Sequence, residues 1–245
     1  MTTPLLRSVD DLTGVWLTHV LGQTVRGFTV KRVGEGQSSC TYRINLDWDG
    51  EFASVILKLA DTDPAVRRTG MVTGHSQREV DFYEKIASRL PAKTLAHCHA
   101  AVYEAAEGYF TLLFEDLVDA QPGDQIACCS VDSARLAVRE LARLVASVVE
   151  DPDLASWVDT PLPLDRMVME TIVQEYYKRF GTRISAEQRD LIGRFAACFD
   201  TWVADRSEPR SIVHNDFRLD NMLFGEAGSA RELTIIDRSE ERRVG

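Results

Sequence analysis

A short polar stretch near the C-terminal end of the sequence holds the residues whose types and spacing are best suited to chemistry. His214, Asp216 and Asn221 occur in the order His-x-Asp-x-x-x-x-Asn between two apolar runs. An aspartate that faces a hydroxyl group can orient it and accept its proton. An asparagine five residues later can bind a metal ion that bridges the phosphates of a nucleotide. We therefore interpret the stretch as a loop for phosphoryl transfer.

A further carboxylate, Asp237, directly follows the apolar run 234–236. This run is typical of a short strand that delivers the carboxylate at its end. Because Mg²⁺ prefers oxygen ligands, Asn221 and Asp237 are candidate ligands of a magnesium ion. The alternative is structural: Asp216 and Asn221 would only form a turn, and Asp237 would be an ordinary carboxylate at the end of a strand.

The elements that must position this loop fall into two regions. The first is rich in β-branched and aromatic runs, and the Asp49-Gly50 pair between two of them favours a hairpin because glycine tolerates a positive φ. Helical spacing of apolar residues predicts one helix in this region. The predicted strands are Phe28–Arg32, Thr41–Trp48, Ala53–Leu59, Ala100–Ala105 and Tyr109–Phe114, and the predicted helix is Ser76–Leu90.

From about residue 131 the pattern is mostly helical. A capping box at Ser185 opens the third helix of this region, and Gly181 is expected to end the second with a left-handed cap. A late insert returns to strands. The predicted helices are Ser133–Val149, Asp165–Phe180 and a segment from Ser185 through Trp202, and the predicted strands are Ser211–Val213, Met222–Phe224 and Leu233–Ile236.

Composition narrows the function classes. The chain has 245 residues and a formal net charge of −10, and 44% of its residues are hydrophobic. An acidic chain is a poor nucleic-acid binder, and the absence of 18 consecutive apolar residues argues against a membrane span. Five scattered cysteines without CxxC pairs are typical of reduced thiols, so we expect a cytoplasmic protein.

Several segments together resemble the aminoglycoside phosphotransferase and choline-kinase-like families, including the ecdysteroid-kinase-like (CHK) branch. The carrying segments are HNDFRLDNMLF followed by TIID, with VGEGQSSCTYRI, SVILKL, REVDFYEKI and LLFEDL before them in the same order. The resemblance spans roughly residues 28–237. It implies an α+β, protein-kinase-like fold of two lobes, with ATP and Mg²⁺ bound between them.

The resemblance also implies roles for the polar loop. Asp216 would be the catalytic base or would orient the acceptor hydroxyl, and Asn221 and Asp237 would hold Mg²⁺. His214 would support the loop without touching substrate. Arg218 would reach the transferred phosphoryl group, although it could equally be an exposed surface arginine.

In the first lobe, the resemblance implies that Lys58 contacts the α- and β-phosphates of ATP and pairs with Glu79. Glu79 has an alternative role, because Ser76 and Glu79 form a capping-box pattern. Backbone groups would approach the phosphates near Gly34, Gly36, Gln37 and Ser38, unless the two glycines only form a tight hairpin. Backbone groups would receive adenine near Glu115, Asp116 and Leu117, whose acidic side chains we expect to be solvated.

The same resemblance suggests a domain division. Residues 1–114 would form the N-lobe, 115–130 a hinge and connector, and 131–237 a partial C-lobe. Residues 238–245, RSEERRVG, depart from the family pattern and look like a translated sequencing adapter. We therefore expect the authentic sequence to end at Asp237 and the C-lobe to be incomplete.

The sequence thus predicts an enzyme that transfers the γ-phosphoryl group of ATP to a hydroxyl of a small molecule. The alternatives are a non-catalytic, kinase-like nucleotide-binding module, a metal-dependent hydrolase, and a protein kinase. Against a protein kinase, no Phe-Gly pair follows Asp237. The acceptor and the oligomeric state stay open.

Overall fold

The computed structural model describes residues 3–33, 39–91, 93–149, 151–152, 165–205, 211–212, 214 and 216–236. The strands within these residues are β1 Val25–Arg32, β2 Ser39–Trp48, β3 Ser54–Ala60, β4 Cys98–Glu104, β5 Tyr109–Glu115, β6 Gln121–Pro122, β7 Met222–Phe224 and β8 Leu233–Ile235. The helices are α1 Gly14–Leu21, α2 Pro64–Thr73, α3 His75–Lys85, α4 Val131–Ala146, α5 Arg166–Phe180 and α6 Ala186–Ala204.

A five-stranded antiparallel sheet forms the N-lobe, in the order β1-β2-β3-β5-β4. Side chains alternate between the faces of a strand, and β3 uses the two faces differently. Val55, Leu57 and Leu59 are buried against the N-terminal segment and α1. Lys58 therefore projects from the other face, which packs against α3.

The second core lies on this α3 face and continues into the C-lobe. Phe82 of α3 and Leu112 of β5 belong to the same buried cluster as Leu144 of α4 and Ile235 of β8. Burial of such side chains is the main favourable term in folding. The two lobes therefore share one continuous apolar core, which fixes the position of the cleft between them.

A small three-stranded sheet carries the polar loop. β6, from the connector, pairs with β7, and β7 pairs with β8. The connector approaches the loop closely at Gly123, where a Cβ atom would lie 2.4 Å from the carbonyl oxygen of Leu219. Glycine is required there because any side chain would collide with backbone.

The structure corrects the predicted elements at several points. Two helices were not predicted, α1 and α2, and α3 ends at Lys85, before a separate turn at Ala87–Arg89. Gly181 has a φ of −59°, so the predicted left-handed cap is wrong, and the chain enters a 3₁₀ turn instead. Ser211 and Ile212 are not in a strand.

The hairpin between β2 and β3 forms as predicted, but the reason given for its glycine is wrong. Gly50 is not among the glycines with positive φ. Glycine is favoured there because it lacks a side chain: a Cβ atom at Gly50 would lie 2.3 Å from the ring of Trp48. The Trp48 indole covers the turn and donates a 2.6 Å hydrogen bond to the carbonyl of Phe52.

Within the described part of the chain, no helix combines the length and the apolar character needed to cross a membrane.

Candidate active site

The upper part of the candidate site is an ion pair between β3 and α3. Lys58 Nζ lies 2.8 Å from Glu79 Oε1 and 2.9 Å from Oε2. Only 12% of the Lys58 side chain and 3% of the Glu79 side chain are exposed. The alternative capping box is wrong, because α3 begins at His75 after Gly74 and Ser76 is already inside the helix. Glu79 is thus placed to compensate the charge of Lys58 in a poorly solvated position.

The lower part is the polar loop, in which Asn221 holds Asp216. Asn221 Nδ2 donates hydrogen bonds to Asp216 Oδ2 at 2.8 Å and to the Asp216 carbonyl at 2.9 Å. Asn221 is buried, whereas 46% of the Asp216 side chain is exposed. The loop therefore presents a solvent-accessible carboxylate in a defined orientation.

Arg218 lies between two carboxylates of the same loop. Its Nε donates to Asp216 Oδ2 at 3.0 Å, and its terminal nitrogen donates to Asp220 Oδ2 at 2.9 Å. The other oxygen of Asp220 accepts a 2.9 Å bond from the amide of Gln125 in the connector. Asp220 was not predicted as a site residue, because only its place in the wall of a cavity between the two parts identifies it.

His214 is buried, and its side chain contacts the backbone of Ile236. Its Nε2 lies 3.0 Å from the carbonyl oxygen of Ile236, which can only accept, so Nε2 carries the proton. The amide of Ile236 in turn donates a 3.0 Å bond to the Asn221 carbonyl. These bonds hold the end of β8 beside the polar loop.

A cavity of about 370 Å³ lies between the two parts and joins them. Lys58, Glu79 and Asn221 line it, together with Glu115 and Leu117 of the lobe junction. Its walls are mostly apolar, and the sequence reasoning did not identify them. The remaining lining residues are Ser39, Thr41, Ile56, Tyr83, Ala96, Phe114, Asp220, Leu223 and Ile236.

Apart from Asp116, the predicted residues not in this lining fall into two groups. Asp216, His214 and Arg218 are described but lie beside the cavity, with Asp216 joined to it through Asn221. Gly34, Gly36, Gln37, Ser38 and Asp237 lie outside the described residues. Among the described residues near the first four, the Val33 amide donates a 2.8 Å bond to the carbonyl of Thr41, which lines the cavity.

The prediction that the acidic side chains at the lobe junction are solvated is wrong. Asp116 is 3% exposed and accepts from Arg43 at 2.6 and 3.0 Å and from the Ser54 hydroxyl at 2.6 Å. Glu115 accepts from the His97 amide at 2.7 Å and from Arg231 at 2.5 Å. Both carboxylates anchor the junction, and the Asp116 side chain points away from the cavity.

Glu79 has a neutral neighbour in Cys98. Burial raises the pKa of the nearby Cys98 thiol to about 12, so the thiol stays protonated at neutral pH. Among the described residues, no three His, Cys, Asp or Glu side chains form a group that could hold a metal ion. Asp237 lies outside that comparison.

Comparison with solved structures shows the fold. The GDP complex of wild-type aminoglycoside 2'-phosphotransferase-IIIa is 15% identical, with a TM-score of 0.58 over 95% of this chain and 75% of that one. Choline kinase from Cryptosporidium parvum Iowa II is 11% identical, with a TM-score of 0.54 over 88% of this chain and 59% of that one. The fold is α+β and kinase-like, with two lobes, as the sequence predicted.

Sequence comparison assigns the family. No curated protein sequence matches the chain. The pattern of the phosphotransferase enzyme family, in contrast, matches residues 29–237, which include both halves of the candidate site. The chain therefore belongs to the phosphotransferase enzyme family.

Proposed function

We propose that this chain binds ATP with Mg²⁺ and transfers the γ-phosphoryl group to a hydroxyl of a small molecule. The observation that carries the proposal is the meeting of two sets of groups at one cavity: the Lys58–Glu79 pair from the N-lobe, and Asn221, which holds Asp216, from the C-lobe. Membership of the phosphotransferase family supports the reaction class. The GDP complex of a structural relative supports a nucleotide as donor.

The cavity suits a nucleoside. Its volume falls within the range of about 300–1,000 Å³ common for small-molecule sites. Apolar walls such as Ile56 and Phe114 would contact the base, and backbone groups near Glu115, Asp116 and Leu117 would bind its edge. The Lys58 ammonium group would bind the α- and β-phosphates, with Glu79 holding it in place. Backbone amides near Gly34, Gly36, Gln37 and Ser38 would cover the phosphates.

The donor atoms fit a hard cation. The amide of Asn221 turns its donor end toward Asp216, which leaves Oδ1 as the end able to bind a metal ion. Asp237 follows Ile236, whose amide is bonded to Asn221, and would supply a carboxylate oxygen. When bound, Mg²⁺ supplies neutralisation of the phosphate charge.

Asp216 would act on the acceptor hydroxyl. Asn221 and Arg218 both donate to Oδ2 of Asp216, so Oδ1 is the oxygen available to a hydroxyl proton. As Asp216 takes that proton, the acceptor oxygen bonds to the γ-phosphorus and the bond from this phosphorus to the β–γ bridging oxygen breaks, which releases ADP. Arg218 would add positive charge beside the transferred group. His214 would keep the loop in position through Ile236.

The lobe boundaries follow the contacts of the connector. We place the N-lobe at 1–114, the connector at 115–130 and the C-lobe from 131, because Asp116 binds N-lobe residues whereas β6 pairs with β7. The five cysteines form no disulfide, which supports a reducing, cytoplasmic location. The acceptor is a hydroxylated small molecule, in line with the aminoglycoside and choline enzymes named among the structural relatives.

The test begins with binding. Calorimetry with ATP and GTP, each with and without Mg²⁺, should give saturable binding that needs the metal. An ADP-release assay over aminoglycosides, choline-like alcohols and other hydroxylated metabolites then identifies the acceptor. Asp216→Asn should keep nucleotide binding and lose about 10²- to 10⁴-fold in transfer rate, the usual contribution of a general base. Asp132→Asn is the matched control, since Asp132 is an exposed residue of α4.

Each outcome separates the candidate functions. Nucleotide binding without transfer to any acceptor would favour the non-catalytic module. Absence of nucleotide binding in the wild-type protein would overturn the proposal. Equal loss in Asp132→Asn would show that Asp216 has no special role.

A further inference from the structure

The two adjacent carboxylates at the lobe junction are directed to opposite lobes. Asp116 is bound by Arg43 of β2 and by Ser54 of β3, both in the N-lobe sheet. Glu115 is bound by Arg231, which lies in the C-lobe just before β8. Because these residues are neighbours in the chain, they attach the junction to both lobes.

The contact between Glu115 and Arg231 is well formed. Arg231 lies 2.5 Å from Glu115 Oε1, and the same oxygen accepts the His97 amide at 2.7 Å. About a quarter of each side chain is exposed, 26% for Glu115 and 28% for Arg231. Partial burial reduces the screening that weakens exposed ion pairs.

A second contact joins the same C-lobe segment to the N-lobe. The Ile235 amide donates a 2.9 Å bond to the Thr94 carbonyl, and Ile235 forms a parallel bridge with Leu95. Together the two contacts attach this segment to the N-lobe at two separate points, in addition to the burial of Ile235 in the shared apolar core.

One member of the pair, Glu115, lies in the wall of the cavity. Glu115, Ile236 and Asn221 all line it, so the Arg231 contact lies on the side where the nucleotide is proposed to bind. A change in the angle between the lobes would move Lys58 relative to Asn221. The distance between the two parts of the candidate site therefore depends on the contacts at the lobe junction.

We propose that Arg231 is a positioning residue that sets the orientation of the two lobes through Glu115, and through that orientation the affinity for the nucleotide. Arg231 does not touch the nucleotide or the acceptor in this role. The effect on affinity rests on the proposed function, whereas the effect on lobe orientation does not.

The first measurement uses the full chain without nucleotide. In Arg231→Gln, hydrogen exchange of the Glu115 and His97 amides should become about threefold to tenfold faster, because both amides lie in the bonds that the pair stabilises. Arg231→Lys should restore most of the protection. Arg26→Gln is the matched control, since Arg26 also forms ion pairs, with Asp47 and Asp49, but on the edge strand β1 of the N-lobe sheet.

The second measurement is calorimetry of ATP with Mg²⁺. Arg231→Gln should raise the Kd about threefold to fivefold, and adding Glu115→Gln should raise it no further, because both changes break the same Glu115–Arg231 contact and the amide oxygen of a glutamine can still accept from the His97 amide. Melting temperatures check that each variant is folded. Arg231→Lys provides the test if Arg231→Gln does not fold, since a retained charge should keep the affinity within about twofold of wild type.

The outcomes are distinct. Unchanged exchange in Arg231→Gln, or an equal change in Arg26→Gln, would overturn the proposal. Altered exchange with an unaltered Kd would overturn the link to affinity. If the wild-type protein binds no nucleotide, the proposed function fails, while altered exchange would still support the role of Arg231 in lobe orientation.

Discussion

The two halves of the candidate site are held in different ways. The upper half joins Lys58 to Glu79 across 21 residues of sequence, and both side chains are largely buried. The lower half holds Asp216 through Arg218 and Asn221, all within six positions, and the Asp216 carboxylate is half exposed. Burial secures the first pair, whereas local hydrogen bonds orient the second.

This difference separates stability from chemistry. An ion pair in the core contributes to folding as well as to a binding site, so changing one partner leaves a charge in a poorly solvated position. A half-exposed carboxylate costs little to replace because water solvates it in both folded and unfolded states. We therefore expect changes in the upper half to affect folding most, and changes in the lower half to affect turnover most.

The largest expected effect on stability is in the upper half. Lys58→Met should lower the free energy of unfolding by about 3–5 kcal/mol, because it removes the charge that compensates Glu79. Urea unfolding measures this loss. The double variant Lys58→Met with Glu79→Gln should recover much of the stability, since neither charge then remains. A double variant as unstable as the sum of the single variants would contradict the coupling.

A smaller effect on stability is expected for Asn221, at the boundary between the halves. Asn221→Ala should cost about 1–3 kcal/mol, because Asn221 is buried and loses both bonds to Asp216. Transfer activity should fall by more than this loss implies, since the Asp216 carboxylate is no longer oriented. Urea unfolding and turnover measured on the same preparation separate the two effects. A variant with normal turnover would show that orientation of Asp216 is unimportant.

The lobe junction gives a third test, outside both halves. Asp116→Asn should cost about 1–2 kcal/mol, because it replaces the buried carboxylate that accepts from Arg43 by a neutral amide, while Arg43 itself stays partly solvated. Asp49→Asn is the control, since Asp49 also pairs with an arginine but is fully exposed. Urea unfolding measures both variants. If both substitutions lower the free energy of unfolding by the same amount, burial of the Asp116 carboxylate does not contribute to stability.

The smallest effect is a pH dependence from His99 of β4. Burial, followed by the charge of His97, lowers the pKa of His99 below its usual value. At acid pH the unfolded chain takes up the proton more readily than the folded chain, so the free energy of unfolding should fall as the pH drops below about 6.5. His99→Gln should flatten this part of the profile. If the free energy of unfolding changes between pH 7 and pH 5.5 by the same amount in the wild type and in His99→Gln, the prediction is wrong.

Local patterns allowed much of the site to be predicted. One short loop contains His214, Asp216 and Asn221, so a small number of hydrogen bonds determines the shape of this loop. The run SVILKL predicts a strand, but Lys58 by itself would look like an ordinary solvated strand lysine. The resemblance to kinase-like phosphotransferases then identified Glu79 as its partner, and the structure confirms the contact.

Long-range contacts were beyond the sequence. The pairing of Glu115 with Arg231 spans 116 positions, and that of Asp116 with Arg43 spans 73. Charged residues near a predicted connector look solvated in sequence because nothing local reveals their partners. The same limit explains why Asp220 was not recognised as part of the cavity wall.

Residue types, their spacing and the family resemblance thus determined which groups the chain offers for the proposed phosphoryl transfer: the amine of Lys58, the carboxylate of Asp216 and the amide of Asn221, in that order along the chain. Tertiary packing alone decided which groups share the cavity and which carboxylates become anchors between lobes. The reason is physical, because periodicity acts within a strand or helix, whereas burial and charge compensation depend on neighbours that are distant in sequence.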